Sequence, residues 1–385
     1  MLWECERVSP SGHPWSDGYA HRVTIDAAGS EPLIGGPVLV VGAGLIGASV
    51  AMALTSTGVE TYVSDLDPRV AHVAASRGAG ADTEPPDNVC LVVVATPPDD
   101  VGSAVVRALT AYPGAVVTDV SSVKAKPLAE VQAAGVDASR YVGGHPLAGS
   151  ERSGPMASAA DLFTGRAWAV VARDDCDPDA VRMVRALVHA CGATAVDMAT
   201  DDHDLAVART SHLPHLVAAL TAGALARAPE RHLALSGQGI RDVTRIAAGD
   251  PQLWRQIVLA NADTLSGLLN EVRDGIDELV TSLSGRDGSR VEAILQAGVA
   301  GTAAIPGKHG GPALPLATVT VAIPDEPGAL ARLFADAGDA QVNIEDLRID
   351  HDPGRRFGLV EIDVAEDRVA PLIEALRARD WSAHR

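Results

Sequence analysis

Val38-Leu39-Val40-Val41-Gly42-Ala43-Gly44-Leu45-Ile46-Gly47 is the stretch from which the fold of the first half of the chain follows. Four apolar, largely β-branched residues suit a strand buried on both faces of a parallel sheet. They run straight into G-x-G-x-x-G, and residues 48–57 then read as helix. In that setting the glycines have distinct uses: Gly42 permits the tight turn, Gly44 lets a pyrophosphate approach the backbone, and Gly47 lets the helix pack on the sheet. The helix start, with Leu45 and Ile46 in its first turn, offers unpaired N–H groups and a positive dipole end to phosphate. The next strand, Glu60–Ser64, ends at Asp65, 65 − 42 = 23 residues past the first glycine. This is where a carboxylate bonds a ribose 2′-hydroxyl and repels a 2′-phosphate. No Lys or Arg follows before Arg69, so the expected cofactor is NAD rather than NADP.

Further strands are expected at Cys90–Ala95, Ala115–Asp119, Tyr141–Gly144 and Arg166–Ala172, with helical stretches between most of them. The alternation implies an α/β, Rossmann-like dinucleotide-binding domain with an open, mostly parallel sheet, over residues 37–197. Thr96 and Pro97 fall at a strand's carboxyl end, where they either line the nicotinamide side or simply terminate the strand. From residue 198 to 300 the chain is Ala- and Leu-rich and helically periodic. This predicts an all-helical domain whose apolar surplus suits a dimer core. Residues 301–316 are rich in Gly, Pro and Ala and read as a linker. Residues 317–385 run β-α-β-β-α with a short last strand near Trp381, a ferredoxin-like α+β unit.

The chain's 385 residues fit two to three domains. Hydrophobic residues make up 47%, which excludes wholesale disorder, and the net charge of −19 argues against nucleic acid as a partner. An anionic substrate would therefore need locally placed positive charge. Cys5, Cys90, Cys176 and Cys191 form no C-x-x-C pair and read as free thiols in a reducing compartment. No apolar run approaches a membrane span, and residues 1–36 lack the pattern of a signal peptide. They are expected to be a flexible extension of a cytoplasmic protein.

Three segments concentrate polar residues that a core would not select. Asp119-Val-Ser121-Ser122-Val-Lys124 and Gly143-Gly-His145-Pro-Leu-Ala-Gly149-Ser150-Glu151-Arg-Ser153-Gly154 each follow a strand end. The third comprises Ser211-His212-Leu-Pro-His215, Arg241-Asp242-Val-Thr-Arg245 and Asp250-Pro-Gln-Leu-Trp254-Arg255 in the helical region. A site between the two domains is expected, as pockets commonly form there.

These strings resemble the TyrA family of prephenate and arogenate dehydrogenases, and Pro324-Asp325-Glu326-Pro327-Gly328-Ala-Leu-Ala-Arg-Leu-Phe334 resembles an ACT domain. The resemblance runs from about Val38 to the C-terminus. It implies NAD-dependent oxidative decarboxylation of prephenate to 4-hydroxyphenylpyruvate and CO2 in tyrosine biosynthesis, or of arogenate to tyrosine, by a homodimer. By the same resemblance, His145 is the catalytic base and Ser122 orients the reacting hydroxyl, with Ser121 the less favoured neighbour. Arg245 binds a substrate carboxylate, and His215, Ser150, Glu151 and Asp242 line the substrate pocket. Trp254 forms an aromatic wall or else a core residue. His212 packs or orients. In the ACT unit, Asp325, Gly328, Asn343 and Ile344 would bind an aromatic amino-acid effector; a structural appendage is the alternative.

Two competing readings meet specific obstacles. A β-hydroxyacid dehydrogenase would use a lysine in the helical domain, and residues 201–301 contain none. A non-catalytic amino-acid sensor should lack His145 or Arg245, and both are present. No metal is expected, since His212 and His215 have Pro214 between them and no evident third ligand.

Overall fold

A computed structural model describes residues 34–148, 153–305, 315–350 and 357–385; the expected N-terminal extension lies almost wholly outside them. The first unit comprises β1 (Val38–Val41), α1 (Leu45–Ser56), β2 (Thr61–Ser64), α2 (Pro68–Ser76), β3 (Leu91–Val94) and α3 (Val101–Ala111). It continues with β4 (Val116–Asp119), α4 (Ala125–Ala133), β5 (Tyr141–Pro146), β6 (Ala167–Val171), α5 (Pro178–Ala190) and β7 (Thr194–Asp197). The strands form one sheet in the order β2-β1-β3-β4-β5-β6-β7. Strands β1 to β5 are mutually parallel, and Val38 pairs with Thr61 on one side and Leu91 on the other. The strand order therefore reverses at β1, and a crevice opens between the carboxyl ends of β1 and β3. Outside β2, a further strand is reduced to one bridge, Tyr62 to Ala81.

Two apolar cores flank the sheet. One packs Val50, Leu54, Val184 and Leu187 from α1 and α5 against Val38, Val40, Leu91 and Trp168. The other packs Val101, Val105, Leu109 and Val131 from α3 and α4 against Leu39, Val92 and Val117. Full burial of each such side chain contributes about 1.5–3 kcal/mol. The sheet is mostly parallel, as expected; the exception is β6, which runs antiparallel to β5, while β7 is parallel to β6. Between β5 and β6 the described residues hold only a three-residue 3-10 turn, Pro155–Ala157. Without a crossover helix the chain returns beside β5 in the opposite direction.

The helical unit comprises α6 (Thr200–Val207), α7 (Leu213–Leu225), α8 (Glu230–Leu233), α9 (Gln238–Arg245), α10 (Pro251–Ala260), α11 (Ala262–Ser284) and α12 (Gly288–Ala303). Helices α6 and α7 are joined by a π-helical turn, Ala208–His212. Pro214 lacks an N–H and its ring crowds the carbonyl four residues back, so a widened turn just before it relieves both problems. The buried cluster here is small, Ala208, Leu265 and Leu268. By contrast Leu220 and Val299 are both 71% exposed, and Ile276, Val280, Leu283 and Leu295 are exposed with them.

Helix α12 carries on through Gly301–Ala303, residues whose composition suggested linker. The third unit begins at Leu316: β8 (Leu316–Pro324), α13 (Ala329–Asp339), β9 (Asp346–Asp350), β10 (Phe357–Ala365), α14 (Val369–Arg377) and β11 (Ser382–His384). The sheet order is β11-β8-β10-β9, antiparallel throughout, a ferredoxin-like arrangement. Alternate residues Val319, Val321, Ile323, Val360, Ile362 and Val364 face Leu333, Leu372, Leu376 and Trp381. Before β9, which starts at Asp346, Asn343 Nδ2 donates to Glu345 Oε1 at 2.7 Å.

Candidate active site

The crevice between β1 and β3 is shaped by its glycines. Gly42 has φ +100°, and a Cβ there would lie 2.4 Å from the Ala95 carbonyl oxygen. A Cβ on Gly47 would lie 1.9 Å from the Gly42 oxygen, whereas one on Gly44 would meet nothing within 4 Å. Thus Gly42 and Gly47 serve the packing of turn, helix and strand, and Gly44 leaves open backbone at the start of α1. Leu45 and Ile46 form the first turn of that helix. Both Asp65 oxygens accept from backbone, Oδ2 from Ala43 N–H at 2.9 Å and Oδ1 from Asp67 N–H at 3.0 Å. The carboxylate is thereby fixed beside the glycine turn. Arg69, the nearest cation in sequence, is engaged by Asp67 at 2.7 Å. Past β3, the Thr96 hydroxyl is buried without a hydrogen-bond partner among the described residues, while Pro97 is exposed. An open backbone at a helix start, a fixed acid and an orphaned hydroxyl fit the phosphates, ribose and nicotinamide end of a dinucleotide.

His145 lies near the carboxyl end of β5, 8% exposed. The glycines before it make room: a Cβ on Gly143 would lie 2.9 Å from Lys124 Cδ, and one on Gly144 2.7 Å from the Asp119 oxygen. Lys124 threads this space fully buried. Its ammonium donates to Asp119 Oδ2 and, at 2.7 Å, to the Gly144 carbonyl. Asp119 also accepts from Tyr141 Oη at 2.9 Å and from Ser121 N–H at 2.9 Å. The pair locks β4 to β5 directly under the histidine. Ser121 keeps a buried hydroxyl without a partner among the described residues, while Ser122 is half-buried beside it.

His145 Nδ1 lies 2.9 Å from His203 Nε2, and His203 Nδ1 lies 2.8 Å from Asp204 Oδ1. Asp204 takes the Lys124 and Ala125 N–H groups at 2.8 and 2.9 Å, capping α4, and its carbonyl accepts from Asn261 Nδ2 at 2.7 Å. Burial, then the neighbouring His203, Lys124 and His212, hold the His145 pKa well below that of a free imidazole. It is therefore neutral near pH 7 and able to accept a proton. Burial opposes ionisation of Asp204, but the His203 bond and the two backbone donors outweigh it and its pKa is lowered.

The helical unit supplies the facing wall. His215 stacks on Trp254, ring centroids 3.5 Å apart and planes within 9°. His212 meets the same indole edge-on at 6.1 Å, and its Nδ1 is buried without a partner among the described residues. Burial brings the His212 pKa down to about 4 and lowers that of His215. Arg245 ends α9, exposed and with no ion-pair partner among the described residues; Asp242, one turn earlier, accepts from Gln238 Nε2 at 2.8 Å. Trp254 is half-buried and stacked on His215. The Asp99 N–H donates to Gln256 Oε1 at 3.1 Å and ties the loop after β3 to α10. Ser150 and Glu151 lie outside the described residues.

His203 and Asp204 were missed in the sequence. Asp201-Asp202-His203-Asp204 resembles the acidic first turn of a solvated helix, and only the tertiary fold reveals that its second half points inward. The burial of Lys124 likewise has no local signature in the sequence.

The probable prephenate dehydrogenase NovF of Streptomyces niveus is 34% identical over 357 residues, covering 90% of this chain and 99% of that protein. The model of "Prephenate dehydrogenase, nucleotide-binding domain" matches residues 50–197, and that of "Prephenate dehydrogenase, dimerization domain" residues 199–297. The chain belongs to the prephenate dehydrogenase family. Among solved structures, prephenate dehydrogenase from A. aeolicus in complex with hydroxyphenyl propionate and NAD+ superposes with TM-score 0.62 at 25% identity, covering 69% of this chain and 97% of that one. Synechocystis arogenate dehydrogenase superposes with TM-score 0.58 at 26% identity, covering 69% and 98%. Both family models end before the ferredoxin-like unit. The tenth of the chain left uncovered by NovF is shorter than that unit, so the likeness to NovF enters it. Within the family frame, the nucleotide-binding domain contributes His145 and both serines, and the dimerisation domain contributes His203, His212, His215, Arg245 and Trp254.

Proposed function

We propose that this enzyme oxidises prephenate with NAD, releasing CO2 and 4-hydroxyphenylpyruvate, a step of tyrosine biosynthesis. The observation that carries the reading is the buried His145 imidazole on β5, bonded at 2.9 Å to His203 of the helical unit and with His212 of the same unit near enough to lower its pKa. Gly42, Gly44, Leu45, Ile46 and Gly47 would hold the pyrophosphate, Asp65 the adenosine ribose, and Thr96 and Pro97 the nicotinamide end. When bound, NAD supplies the hydride acceptor. His145 Nε2 takes the proton of the ring hydroxyl as hydride leaves the same carbon. Loss of CO2 then makes the ring aromatic, which draws the step to completion. General-base help of this kind is typically worth about 10²- to 10⁴-fold. Ser122 orients the hydroxyl, with Ser121 beside it. Arg245 takes a substrate carboxylate through a bidentate pair. His215 and Trp254 bound the ring side with Asp242, and Ser150 and Glu151 are assigned to substrate by the sequence resemblance. The buried wall excludes water while charge moves.

Arogenate carries an ammonium where prephenate carries a keto oxygen. The Gln238–Asp242 pair one turn from Arg245 is the feature that favours this second reading. One assay separates them: NADH formation with prephenate and arogenate side by side. His145→Asn should abolish turnover and leave NAD binding intact; retained turnover would remove His145 from its role.

The exposed apolar faces of α7, α11 and α12 support a homodimer built on the helical unit, with the enzyme working in the cytoplasm. Among the described residues no helix is long and apolar enough to cross a membrane, and no His, Cys, Asp and Glu cluster suits a metal ion. The C-terminal unit is proposed to be an ACT module binding an aromatic amino acid. Gly328, at φ +90°, caps α13 after the exposed Asp325, and leaves a helix start open to a carboxylate. Asn343 is exposed nearby in sequence, while the Ile344 side chain packs on the core and would offer only its backbone. Calorimetry and kinetics with tyrosine, phenylalanine and tryptophan test this; no effect from any of them would leave the unit a structural appendage.

A further inference from the structure

We propose that His203 is a proton-relay residue, receiving the Nδ1 proton of His145 on its Nε2 while its own Nδ1–H is held by Asp204. The inference rests on the dehydrogenase reading above and deepens it. It starts from three buried groups in line. His145, His203 and Asp204 are 8%, 0% and 5% exposed and joined by contacts of 2.9 and 2.8 Å.

The donor and acceptor roles follow from the far end of the chain. An ionised carboxylate only accepts. Asp204 accepts from Lys124 N–H and Ala125 N–H, so its third partner, His203 Nδ1, must carry a proton. With Nδ1 donating to Asp204, His203 Nε2 presents its lone pair to His145 Nδ1. His145 must donate to it through Nδ1–H, and His145 Nε2 is left bare as the base. Asp204 thereby selects, two residues away, the tautomer of His145 that the reaction needs.

When substrate is oxidised, its O–H bond breaks and an N–H bond forms at His145 Nε2. The His145 Nδ1–H bond breaks and an N–H bond forms at His203 Nε2. No further reactant is required, and the reverse transfer after product release returns the proton to solvent. The benefit is electrostatic. A cation on His145 is disfavoured by burial and by Lys124 and His212 nearby. Moved to His203, the charge sits one hydrogen bond from the Asp204 carboxylate. The charged and titratable groups around the relay are His145 and Lys124 with Asp119 from the nucleotide-binding domain, and Asp204 and His212 from the helical domain.

Three measurements test this. In the wild-type protein, 15N NMR of histidine-labelled enzyme should show the Nδ1–H tautomer at both His145 and His203; Nε2–H at either overturns the relay. This arm needs neither turnover nor a variant, so it stands apart from failure of the dehydrogenase reading, which would show as inactivity on prephenate and arogenate alike. His203→Gln can still accept a hydrogen bond but cannot take a proton. It should lower kcat about 10²-fold, the lower range for proton-transfer help, with the substrate KM and NAD dissociation constant within about twofold. A kcat within threefold of wild type overturns the proposal. Asp204→Asn removes the negative charge that steadies the cation, so the acid limb of kcat/KM should move to lower pH. An unmoved limb means that Asp204 is structural only, and overturns the proposal.

Discussion

The imidazole of His215 lies flat on the indole of Trp254, ring centroids 3.5 Å apart, and Gly249 closes the stack from the side. A Cβ at residue 249 would lie 2.4 Å from Trp254 Nε1 and 3.2 Å from His215 Cε1. Gly249→Ala must therefore displace the indole. The expected outcome is a rise in prephenate KM of about tenfold or more, from misplacement of the wall by a fraction of an ångström to an ångström. Steady-state kinetics with tryptophan emission as the structural monitor checks it. An unchanged KM would separate Trp254 from the substrate.

Arg245 stands exposed at the end of α9 with no ion-pair partner among the described residues. Arg245→Ala should raise the prephenate KM about 30-fold or more, equivalent to about 2 kcal/mol, by removing the partner of a substrate carboxylate. Arg245→Lys should recover only part of it, since an ammonium cannot make the bidentate pair. An Arg245→Lys KM equal to that of the wild type would contradict the bidentate assignment.

The glycine turn separates folding from binding. Gly44→Ala should leave the melting temperature unchanged, because a Cβ meets nothing within 4 Å, yet weaken NAD binding by about tenfold by crowding the pyrophosphate. Gly47→Ala should lower both, because its Cβ would fall 1.9 Å from the Gly42 oxygen. Calorimetric NAD titration beside thermal melts distinguishes the two, and a stable, tight-binding Gly44→Ala would refute the placing of the pyrophosphate.

Asp65 is held by two backbone donors next to the turn. Asp65→Ser should shift the ratio of kcat/KM for NAD over NADP toward NADP by about tenfold or more, since like charge at the 2′-position costs several kcal/mol. The ratio measured with both cofactors decides it, and no shift would place the adenosine ribose elsewhere.

Acid should destabilise the fold through its buried neutral histidines. His212 has a folded pKa of about 4 against the ordinary 6.5. Below pH 6.5 the unfolded chain therefore binds the proton that the folded one refuses. The stability present above 6.5 is lost as pH falls toward 4, by up to roughly 3 kcal/mol for this residue. His145 and His215 shift in the same direction and add to it. Urea unfolding at pH 7 and pH 4.5 should show the loss, and His212→Phe should reduce it. A flat stability profile would mean that His212 is solvated.

The readable parts of the sequence were those where local chemistry dictates structure. The glycine turn, the strand ending at Asp65, the strand carrying His145 and the alternating strands Val319–Ile323 and Val360–Val364 all announce themselves by residue type and spacing. Strand direction does not. β6 has the same apolar run as its parallel neighbours, and its reversal depends on what connects it. The Lys124–Asp119 pair and the His203–Asp204 pair were hidden for a related reason: a charge reads as solvated unless the fold encloses it. The π turn before Pro214 lay in between, since the proline signals a disturbed helix without saying how the helix yields.

Asp204 fastens two bodies and faces the base at once. Its carboxylate caps α4 of the nucleotide-binding domain, its carbonyl holds Asn261 of the helical one, and His203 stands between it and His145. The assembly is consequently an interlock. A chain whose nucleotide-binding half has folded, but whose helices have not docked, can own a finished cofactor crevice and still lack an oriented base. It would bind dinucleotide and oxidise nothing, so the chemistry switches on only with the completed molecule.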